Sequence, residues 1–211
     1  MTSTPAPVPS TVVFDLGQVL LAWDRAALYR DDFAEPGHVD RFLDEVLPMA
    51  WHTELDRGRD WEEALAERIA LYPQHEALIR AYQTGFGRTI PAAIEGSVAI
   101  LEALHAGGVD LLGLTNFPVG VYEETRDRFA FFRRFRGVVV SGHEKVIKPD
   151  PEIYRRLVAR YAVDPARTVF IDDRLDNIEA ARALGFTGIV FEGPGPLARD
   201  LAALGLPVGI A

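Results

Sequence analysis

Residues 11–20, TVVFDLGQVL, decide the fold. A run of β-forming residues, Thr11 to Phe14, ends on the acid Asp15, and Leu16-Gly17-Gln18 follows as a turn. Four or five apolar, partly β-branched residues before a turn are typical of a buried parallel strand. Open α/β sheets bind their ligands at the carboxyl ends of such strands, which is where Asp15 stands. Taken alone, Asp15 fits a turn or helix cap equally well.

Composition limits the class of protein. The chain has 211 residues, 48% of them hydrophobic and 25% charged, which is typical of a globular protein large enough to bury a sizeable core. Its net charge of −9 disfavours a nucleic-acid surface, which needs clustered Lys and Arg. The absence of cysteine excludes disulfides, thiolate metal sites and cysteine nucleophiles.

The sequence also lacks the marks of a membrane or secreted protein. No apolar run approaches the roughly 18 residues that a membrane span needs. The first ten residues, MTSTPAPVPS, lack the basic-then-apolar order of a signal peptide. We therefore expect a cytoplasmic protein with a short disordered lead-in over residues 1–10.

The hydrophobic pattern changes at two points in the chain. From about residue 24 to 90 apolar residues recur at helical spacing, and Pro- or Gly-containing breaks divide this block into three to five short helices. The breaks are Pro36-Gly37, Pro48, Arg57-Gly58 and Pro73. From Pro91 onward, strands and single helices alternate, which implies right-handed crossovers and a parallel sheet.

This alternation predicts each element of the second block. The predicted strands are 109–116, 136–141, 167–173 and 187–192. The predicted helices are 91–106, 118–129, one that begins after Lys148, one that Asp176 opens with capping-box spacing and that ends near Gly185, and 196–204. The sequence thus predicts an α/β protein with a Rossmann-like parallel-sheet core, residues 11–22 and 91–211, and a helical cap inserted over residues 23–90.

Polar residues follow the predicted strands at one edge of the sheet. Asp15, Thr115-Asn116 and Asp172-Asp173 stand at carboxyl ends of strands, and Lys148 lies in a connection on the same edge. We expect these groups to converge on one crevice. Lys148 and Lys145 are the two lysines among 22 Lys and Arg residues, which favours a site that needs a compact ammonium. Chance placement is the alternative.

The acidic pair Asp172-Asp173 predicts a metal site. Two carboxylates beside Asp15 would repel one another unless a cation is shared among them. Oxygen ligands of this kind suit Mg²⁺, which binds through one or two carboxylates plus substrate phosphate. A solvated turn is the plainer interpretation of the pair. Asp176 is interpreted as a structural cap, and Asn177 as a residue that reaches back to orient Asp173 or Lys148.

Together these residues contain the parts needed for phosphoryl transfer to a carboxylate. Thr115 and Asn116 precede a helix amino end, where hydroxyl, amide and N–H donors hold anions. Asp15 would be the nucleophile and Lys148 the charge clamp. The sequence has no dinucleotide or P-loop glycine motif after a strand and no G-x-S-x-G elbow. Its five histidines are scattered, without metal-ligand spacing.

In this order the motifs resemble those of the haloacid dehalogenase superfamily of aspartate-nucleophile hydrolases. FDLGQVL is similar to its first motif, LTN to its second, Lys148-Pro149 to its third and FIDD to its fourth. The resemblance covers nearly the whole chain. The patterns FDLGxVL…WD and KPDPxIY…DDxxDN resemble the branch containing phosphatases of the α-D-glucose-1-phosphatase type, and the insertion resembles that superfamily's C1 cap.

The resemblance implies a mechanism and a role for each site residue. Asp15 would attack phosphorus and form an aspartyl-phosphate, which water would then hydrolyse. The implied Mg²⁺ ligands are Asp15, the backbone carbonyl of Gly17, and Asp172 or Asp173. The implied phosphate ligands are Thr115, Asn116 and Lys148. The expected function is Mg²⁺-dependent hydrolysis of a small phosphorylated metabolite, with a sugar phosphate as the expected substrate.

One position departs from the family pattern. Phosphatases of this superfamily usually carry a second aspartate two residues after the nucleophile, as general acid and base, and this chain has Gly17 there. A proton-transfer group contributes about 10²–10⁴-fold to rate. The enzyme would therefore use a leaving group that needs little protonation, recruit another residue, or be slow. The candidate replacements are Asp24, His52, His143 and Glu144.

Two other functions fit parts of the pattern. A 2-haloacid dehalogenase-like enzyme, with Asp15 attacking carbon, needs no acid at Gly17, but relatives of that type lack the acidic pair. A catalytically weak homologue that binds a phosphorylated ligand or a protein partner is the non-enzymatic alternative. Substrate choice would lie with WHTELDRGRDW, residues 51–61; His52, Glu54, Arg57 and Arg59 could face the crevice, or this segment could be a solvated loop.

Overall fold

The structure is a computed structural model that describes residues 8–33, 35 and 37–208. Most of the predicted lead-in, residues 1–10, lies outside this part of the chain, and so does Pro36 of the predicted Pro36-Gly37 break.

A five-stranded parallel sheet forms the centre of the fold. Its strands are β1 (Thr11–Phe14), β2 (Asp110–Thr115), β3 (Gly137–Val140), β4 (Thr168–Asp172) and β5 (Thr187–Val190). Their order is β3-β2-β1-β4-β5, and every neighbouring pair is parallel. β1 is the central strand and all four of its residues are buried, as its continuous apolar run predicts. The predicted α/β fold with a parallel sheet is confirmed.

Helices surround the sheet and also separate β1 from β2. In the described residues, four α-helices belong to the insertion between these two strands: α1 (His38–Glu45), α2 (Met49–Asp56), α3 (Trp61–Leu71) and α4 (Glu76–Thr84). The later helices are α5 (Glu95–Ala106), α6 (Val121–Arg128), α7 (Ser141–Glu144), α8 (Pro151–Tyr161), α9 (Leu175–Ala183) and α10 (Pro194–Ala203). Short 3₁₀ turns join them at Arg25–Leu28, Arg30–Asp32, Pro73–His75, Phe86–Thr89, Ala130–Arg134 and Pro165–Arg167. Across the described residues, no helix combines the length and apolarity that a membrane crossing requires.

The two faces of the sheet bury different helices. On one face Val12 and Phe14 of β1 belong to an apolar cluster with residues of α5 and α10. On the other face Val13 packs in a second cluster with residues of α8 and α9. Alternate residues of a strand point to opposite faces, so one apolar run supplies both cores.

The insertion is continuous with the first of these cores. Leu47, Leu55 and Tyr82 of the insertion belong to the same buried cluster as Phe14 of the central strand. The breaks predicted at Pro48, Arg57-Gly58 and Pro73 fall between helices, since Pro48 precedes α2, Arg57 follows it, and Pro73 opens a 3₁₀ turn. The division of the chain into a core and a cap stays a prediction about domains.

Several helix starts differ from those predicted. α5 begins at Glu95 rather than residue 91, and α6 begins at Val121 rather than near Pro118, after Gly120 with a φ of 86°. A positive φ is favourable for glycine and interrupts the helical path. α10 begins at Pro194, two residues early, because proline suits the first helical position.

The predicted cap of α9 was wrong. Arg174, not Asp176, is the residue that precedes this helix. Asp176 lies in the first turn, where its carboxylate pairs with the Arg174 guanidinium at 2.7 Å and accepts the Asn177 backbone N–H at 3.0 Å. An acid in a first turn is also stabilised by the helix dipole, so the residue type does not distinguish the two positions.

Candidate active site

The sheet brings the predicted site residues together at one edge. Seven of the eight line a single cavity of about 440 Å³: Asp15, Gly17, Thr115, Asn116, Lys148, Asp173 and Asn177. The eighth, Asp172, is fully buried beside them at the end of β4. Parallel strands end on the same edge, which is why residues as far apart in sequence as Asp15 and Asn177 meet here.

Lys148 lies at the centre of the site and is buried. Its ammonium is 2.8 Å from Asp15 Oδ1, 2.7 Å from Asp172 Oδ2 and 3.0 Å from the Leu114 carbonyl oxygen. An ammonium has three donors, and all three are used. Burial lowers the pKa of Lys148, but the two carboxylates outweigh burial, so the pKa lies above its ordinary value. The ammonium stays charged and fixes the position of Asp15.

Asp15 is held in one orientation at the carboxyl end of β1. Its Oδ1 accepts the backbone N–H of Leu16 at 2.7 Å as well as the Lys148 ammonium. Burial raises the pKa of Asp15 to about 7, Lys148 opposes that rise, and Asp172 adds to it by repulsion. A cation bound beside these carboxylates would favour the charged form of Asp15.

The two members of the acidic pair differ in their surroundings. Both oxygens of Asp172 have partners, because Oδ1 accepts hydrogen bonds from the Arg174 N–H at 2.9 Å and from Asn177 Nδ2 at 2.8 Å, and Oδ2 accepts one from Lys148. Asp173 is exposed on the cavity wall. Asn177 therefore orients Asp172 rather than Asp173 or Lys148, which corrects the predicted contact.

These carboxylates can hold a metal ion. One oxygen from each of Asp15, Asp172 and Asp173 lies within 4.8 Å of the others. Gly17, whose backbone carbonyl is the predicted fourth ligand, lines the same cavity. An all-oxygen set with two or three carboxylates fits Mg²⁺. Since the oxygens of Asp172 already have partners, Asp173 is the better-placed direct ligand.

The Asn116 side chain has a different partner from the predicted anion. Its Oδ1 accepts the Lys148 backbone N–H at 2.9 Å, and its Nδ2 donates to the Lys148 carbonyl at 3.1 Å. Both amide atoms are therefore committed to the backbone of Lys148. Thr115 lies at the end of β2, lines the cavity and is almost fully buried.

The insertion supplies the wall that faces the sheet edge. Four residues of α2 line the cavity: Met49, His52, Thr53 and Asp56. Their spacing of three, four and seven residues is that of one helical face, so this pattern was a usable signal in the sequence. Trp23, Phe86 and Phe117 complete the wall with aromatic surface. Among these residues, only His52 is predicted from the sequence to have a role at the site.

Three of the four candidates for the missing acid lie elsewhere. Asp24 caps a 3₁₀ turn by accepting the Ala26 N–H at 3.0 Å. His143 pairs with Glu123 at 3.0 Å, and Glu144 pairs with Arg160 at 2.7 Å. None of the three lines the cavity, and His52 alone of the four does.

The segment 51–61 faces the crevice through fewer residues than expected. Glu54 and Arg57 form an ion pair with each other at 3.4 Å, and Arg59 pairs with Glu67 at 2.5 Å. None of these three lines the cavity. Of the two interpretations of this segment, facing the crevice therefore does not hold for Glu54, Arg57 and Arg59: Glu54 is two residues from His52 on α2, and the two arginines follow the end of that helix.

His52 is held between aromatic rings. Its ring stacks on Trp23 at 5.2 Å and on Phe86 at 5.9 Å between centroids, and Nδ1 is 3.0 Å from the Tyr82 hydroxyl. Burial lowers the pKa of His52 to about 3. The imidazole is neutral at physiological pH and has no proton to donate as a cation.

A family model described as haloacid dehalogenase-like hydrolase matches residues 9–185 of the chain. Flavin mononucleotide hydrolase 1 of Arabidopsis thaliana is 30% identical over 166 residues, which are 77% of this chain and 65% of that protein. The sesquiterpene phosphatase astK of Aspergillus oryzae is 27% identical over 84% of this chain and 87% of its own.

The fold also matches solved structures. A HAD family enzyme of Bacteroides thetaiotaomicron, solved in complex with magnesium and inorganic phosphate, superposes with a TM-score of 0.69 at 18% identity. The match covers 88% of this chain and 95% of that one. At this identity the likeness shows a shared fold.

Proposed function

The chain belongs to the haloacid dehalogenase-like hydrolases, and from this premise we propose that it is a Mg²⁺-dependent phosphatase. It would hydrolyse a small phosphorylated metabolite through an aspartyl-phosphate on Asp15. The observation that carries the proposal is the position of the Lys148 ammonium, which lies 2.8 Å from Asp15 Oδ1 and 2.7 Å from Asp172 Oδ2. The exposed carboxylate of Asp173 lines the same cavity.

The chain's own residues position the nucleophile. The Leu16 N–H and the Lys148 ammonium hold the Asp15 carboxylate so that it is aligned before substrate arrives. Asp15 attacks phosphorus, the bond to the leaving oxygen breaks, and water later cleaves the acyl-phosphate. Thr115 would contact the phosphate oxygens, and Lys148 would supply positive charge beside them, while Asn116 contributes by holding the Lys148 backbone.

The carboxylates around the proposed metal site have different roles. Asp173, Asp15 and the Gly17 carbonyl would hold Mg²⁺, which supplies positive charge next to the transferring phosphoryl group. Asp172 would hold Lys148 and Asn177 in place, because its oxygens already accept three hydrogen bonds. Relatives that carry a phosphatase name and a family neighbour with bound magnesium and phosphate support this arrangement.

The substrate is proposed from the cavity lining. Trp23 and Phe86 of the insertion, together with Phe117 after β2, give the cavity flat, apolar surface, while His52 and Thr53 add polar groups. This lining suits a phosphomonoester whose organic part presents a flat or apolar face. A sugar phosphate, the class predicted from the sequence, stacks on aromatic rings through its C–H face and is retained as a proposal.

The test is phosphate release from a panel that contains sugar phosphates, flavin mononucleotide, a prenyl phosphate and 4-nitrophenyl phosphate, each with Mg²⁺ and with EDTA. We expect release that requires Mg²⁺ and that disappears in Asp15→Asn, which keeps the side-chain shape and removes the nucleophile. Glu54→Gln, an exposed change on α2 outside the cavity, is the matched control.

Two outcomes would overturn the proposal. Unchanged hydrolysis by Asp15→Asn would remove the aspartyl-phosphate mechanism. No phosphate release under either condition, together with halide release from 2-chloropropionate, would assign the chain to attack on carbon, the alternative that the glycine at position 17 suggests.

A further inference from the structure

The proposed phosphatase lacks a proton donor next to its nucleophile. Gly17 has no side chain, and a simple alcohol leaves phosphorus slowly as an alkoxide unless it is protonated. In-line displacement places the leaving oxygen across phosphorus from Asp15. That direction points away from the sheet edge and toward the wall formed by the insertion. A replacement acid would therefore lie on α2 or on the residues next to it.

Asp56, the last residue of α2, lies on that wall. It lines the cavity with Asp15 and Lys148, and its side chain is only 12% exposed. Within the described part of the chain, its Oδ1 is buried and has no hydrogen-bond partner. A buried oxygen without a donor cannot stabilise a negative charge, which favours the protonated form of this carboxyl group.

The backbone of Asp56 is fixed to the sheet. The Ser141 hydroxyl, directly after β3, donates to the Asp56 carbonyl at 2.6 Å and also accepts the Phe117 N–H at 2.9 Å. The end of α2 is thereby tied to the same sheet edge that carries the nucleophile. Asp56 is positioned by the core as well as by the insertion.

Hydrogen bonds within the insertion hold the groups beside Asp56 in place. Arg25 Nε donates to the Tyr82 hydroxyl at 3.0 Å, and that hydroxyl lies 3.0 Å from His52 Nδ1. His52 Nε2 is 3.6 Å from Asp56 Oδ2, which is too far for a hydrogen bond. The His52 ring therefore lies beside the Asp56 carboxyl group without donating a hydrogen bond to it.

The charge state of Asp56 follows from its surroundings. Burial raises the pKa of Asp56 to about 8, with Lys148 lowering it, Asp15 raising it and Arg25 lowering it. His52 faces it as a neutral ring. Asp56 is therefore predominantly protonated at neutral pH, as a general acid must be.

We propose that Asp56 is the general acid and base of this enzyme, in place of the side chain that Gly17 lacks; the inference rests on the phosphatase function proposed above. As Asp15 bonds to phosphorus and the bond to the leaving oxygen breaks, the Asp56 carboxyl group gives its proton to that oxygen and the alcohol departs. The Asp56 carboxylate then takes a proton from the water that attacks phosphorus. Phosphate and the Asp15 carboxylate are released, and Asp56 is protonated again.

The experiment compares two esters of similar shape, phenyl phosphate and 4-nitrophenyl phosphate, in saturating Mg²⁺. Phenolate is a poor leaving group and needs the acid, whereas 4-nitrophenolate leaves readily without a proton. We expect Asp56→Asn to lower kcat/KM for phenyl phosphate by about 10²-fold or more, and for 4-nitrophenyl phosphate by less than about 10-fold. Glu54→Gln, on the same helix but outside the cavity, should match the wild type on both.

A second readout reports the base step. With 4-nitrophenyl phosphate, Asp56→Asn should release about one equivalent of 4-nitrophenolate per enzyme in a burst, because the aspartyl-phosphate forms but lacks the base for its hydrolysis. The wild-type kcat/KM for phenyl phosphate should fall above about pH 8, where Asp56 loses its proton, and Asp56→Asn should lack this limb. A purely structural role of Asp56 predicts neither effect.

The possible outcomes distinguish the role of Asp56 from the phosphatase function on which it rests. Equal losses on the two esters, with no burst and an unchanged pH limb, would overturn the role of Asp56 while leaving the phosphatase intact. Failure of the wild type to hydrolyse either ester would instead overturn the phosphatase. If Asp56→Asn does not fold, Asp56→Glu, which keeps the carboxyl group, should retain the preference of the wild type between the two esters, and loss of that preference would count against the proposal.

Discussion

The side chain of Asn116 makes two hydrogen bonds with the backbone of Lys148: its Oδ1 accepts the Lys148 N–H at 2.9 Å, and its Nδ2 donates to the Lys148 carbonyl at 3.1 Å. The two residues are 32 positions apart, at the end of β2 and in the connection before α8. The ammonium of Lys148 in turn contacts Asp15 and Asp172. Asn116 thus sets the position of the charge that holds the nucleophile.

Asn116→Ala should therefore act through Lys148. Loss of a residue that orients a functional side chain typically costs about 10–100-fold in activity, and we expect a fall of that size in kcat/KM for 4-nitrophenyl phosphate. Two neutral hydrogen bonds contribute only about 0.5–1.5 kcal/mol each to stability, so the variant should remain folded in urea titrations. The control Glu124→Gln, an exposed change on α6, should keep full activity; an active Asn116→Ala enzyme would show that the Lys148 backbone is held by other means.

Asp173 should be the carboxylate of the acidic pair that controls Mg²⁺ affinity. A ligand present at 100 times its Kd stabilises the folded state by about 2.7 kcal/mol, so MgCl₂ should raise the melting temperature of the wild type. Asp173→Asn should lose most of this increase. Asp176→Asn alters a nearby acid whose partner is Arg174 and should keep it. Equal increases in the two variants would exclude Asp173 as a ligand.

Much of the fold could be predicted because its signal is local. The apolar run of β1 and the alternation of strands and helices after Pro91 depend on residues close in sequence, and they determine which edge carries Asp15 and Lys148. Contacts that join distant segments carry no such signal. The pairing of Asn116 with Lys148 and the direction in which Asn177 points both depend on how two loops meet.

The sequence predicts that helices of the insertion cover the site, but not which of their side chains line the cavity. Periodicity predicts that α2 is a helix, yet the orientation of its faces depends on packing by Leu55, Tyr82 and Trp51 from several helices. His52 was singled out for its chemistry, whereas Asp56, on the same face one turn later, resembled any acid near a helix end. Its lack of a partner is visible only in three dimensions.

The burial of Asp56 should also be measurable as a stability effect that is independent of activity. Burial raises the pKa of Asp56 from 3.8 to about 8, so the folded state binds the proton more tightly than the unfolded state. Ionisation of Asp56 therefore destabilises the folded state. This destabilisation is absent below about pH 4, grows as the pH rises toward 8, and is constant above that.

Asp56→Asn removes this penalty. The difference in unfolding free energy between the variant and the wild type should grow by up to about 1.4 kcal/mol per pH unit between pH 5 and 7.5. Urea titrations in EDTA at several pH values measure it, and Glu54→Gln should run parallel to the wild type. A difference that does not change with pH would mean that Asp56 is ionised in the folded protein.

Gly17→Asp tests whether Asp56 supplies the proton that a side chain at position 17 would otherwise give. A Cβ built on Gly17 meets no atom within 4 Å, and Gly17 is not among the glycines with positive φ. The site therefore has room for the aspartate that related phosphatases carry, without backbone strain. Its carboxyl group would lie two residues from the nucleophile, where it can serve as a second acid for the leaving oxygen.

The expected effect depends on the background. In the wild type, where Asp56 already protonates the leaving group, Gly17→Asp should change kcat/KM for phenyl phosphate by less than about 10-fold. In Asp56→Asn it should restore about 10²-fold, because groups that perform one step are not additive. Gly17→Asn, of the same size but unable to transfer a proton, should restore nothing. If Gly17→Asp raised activity equally in both backgrounds, the proton donor of the wild type would have to be a residue other than Asp56.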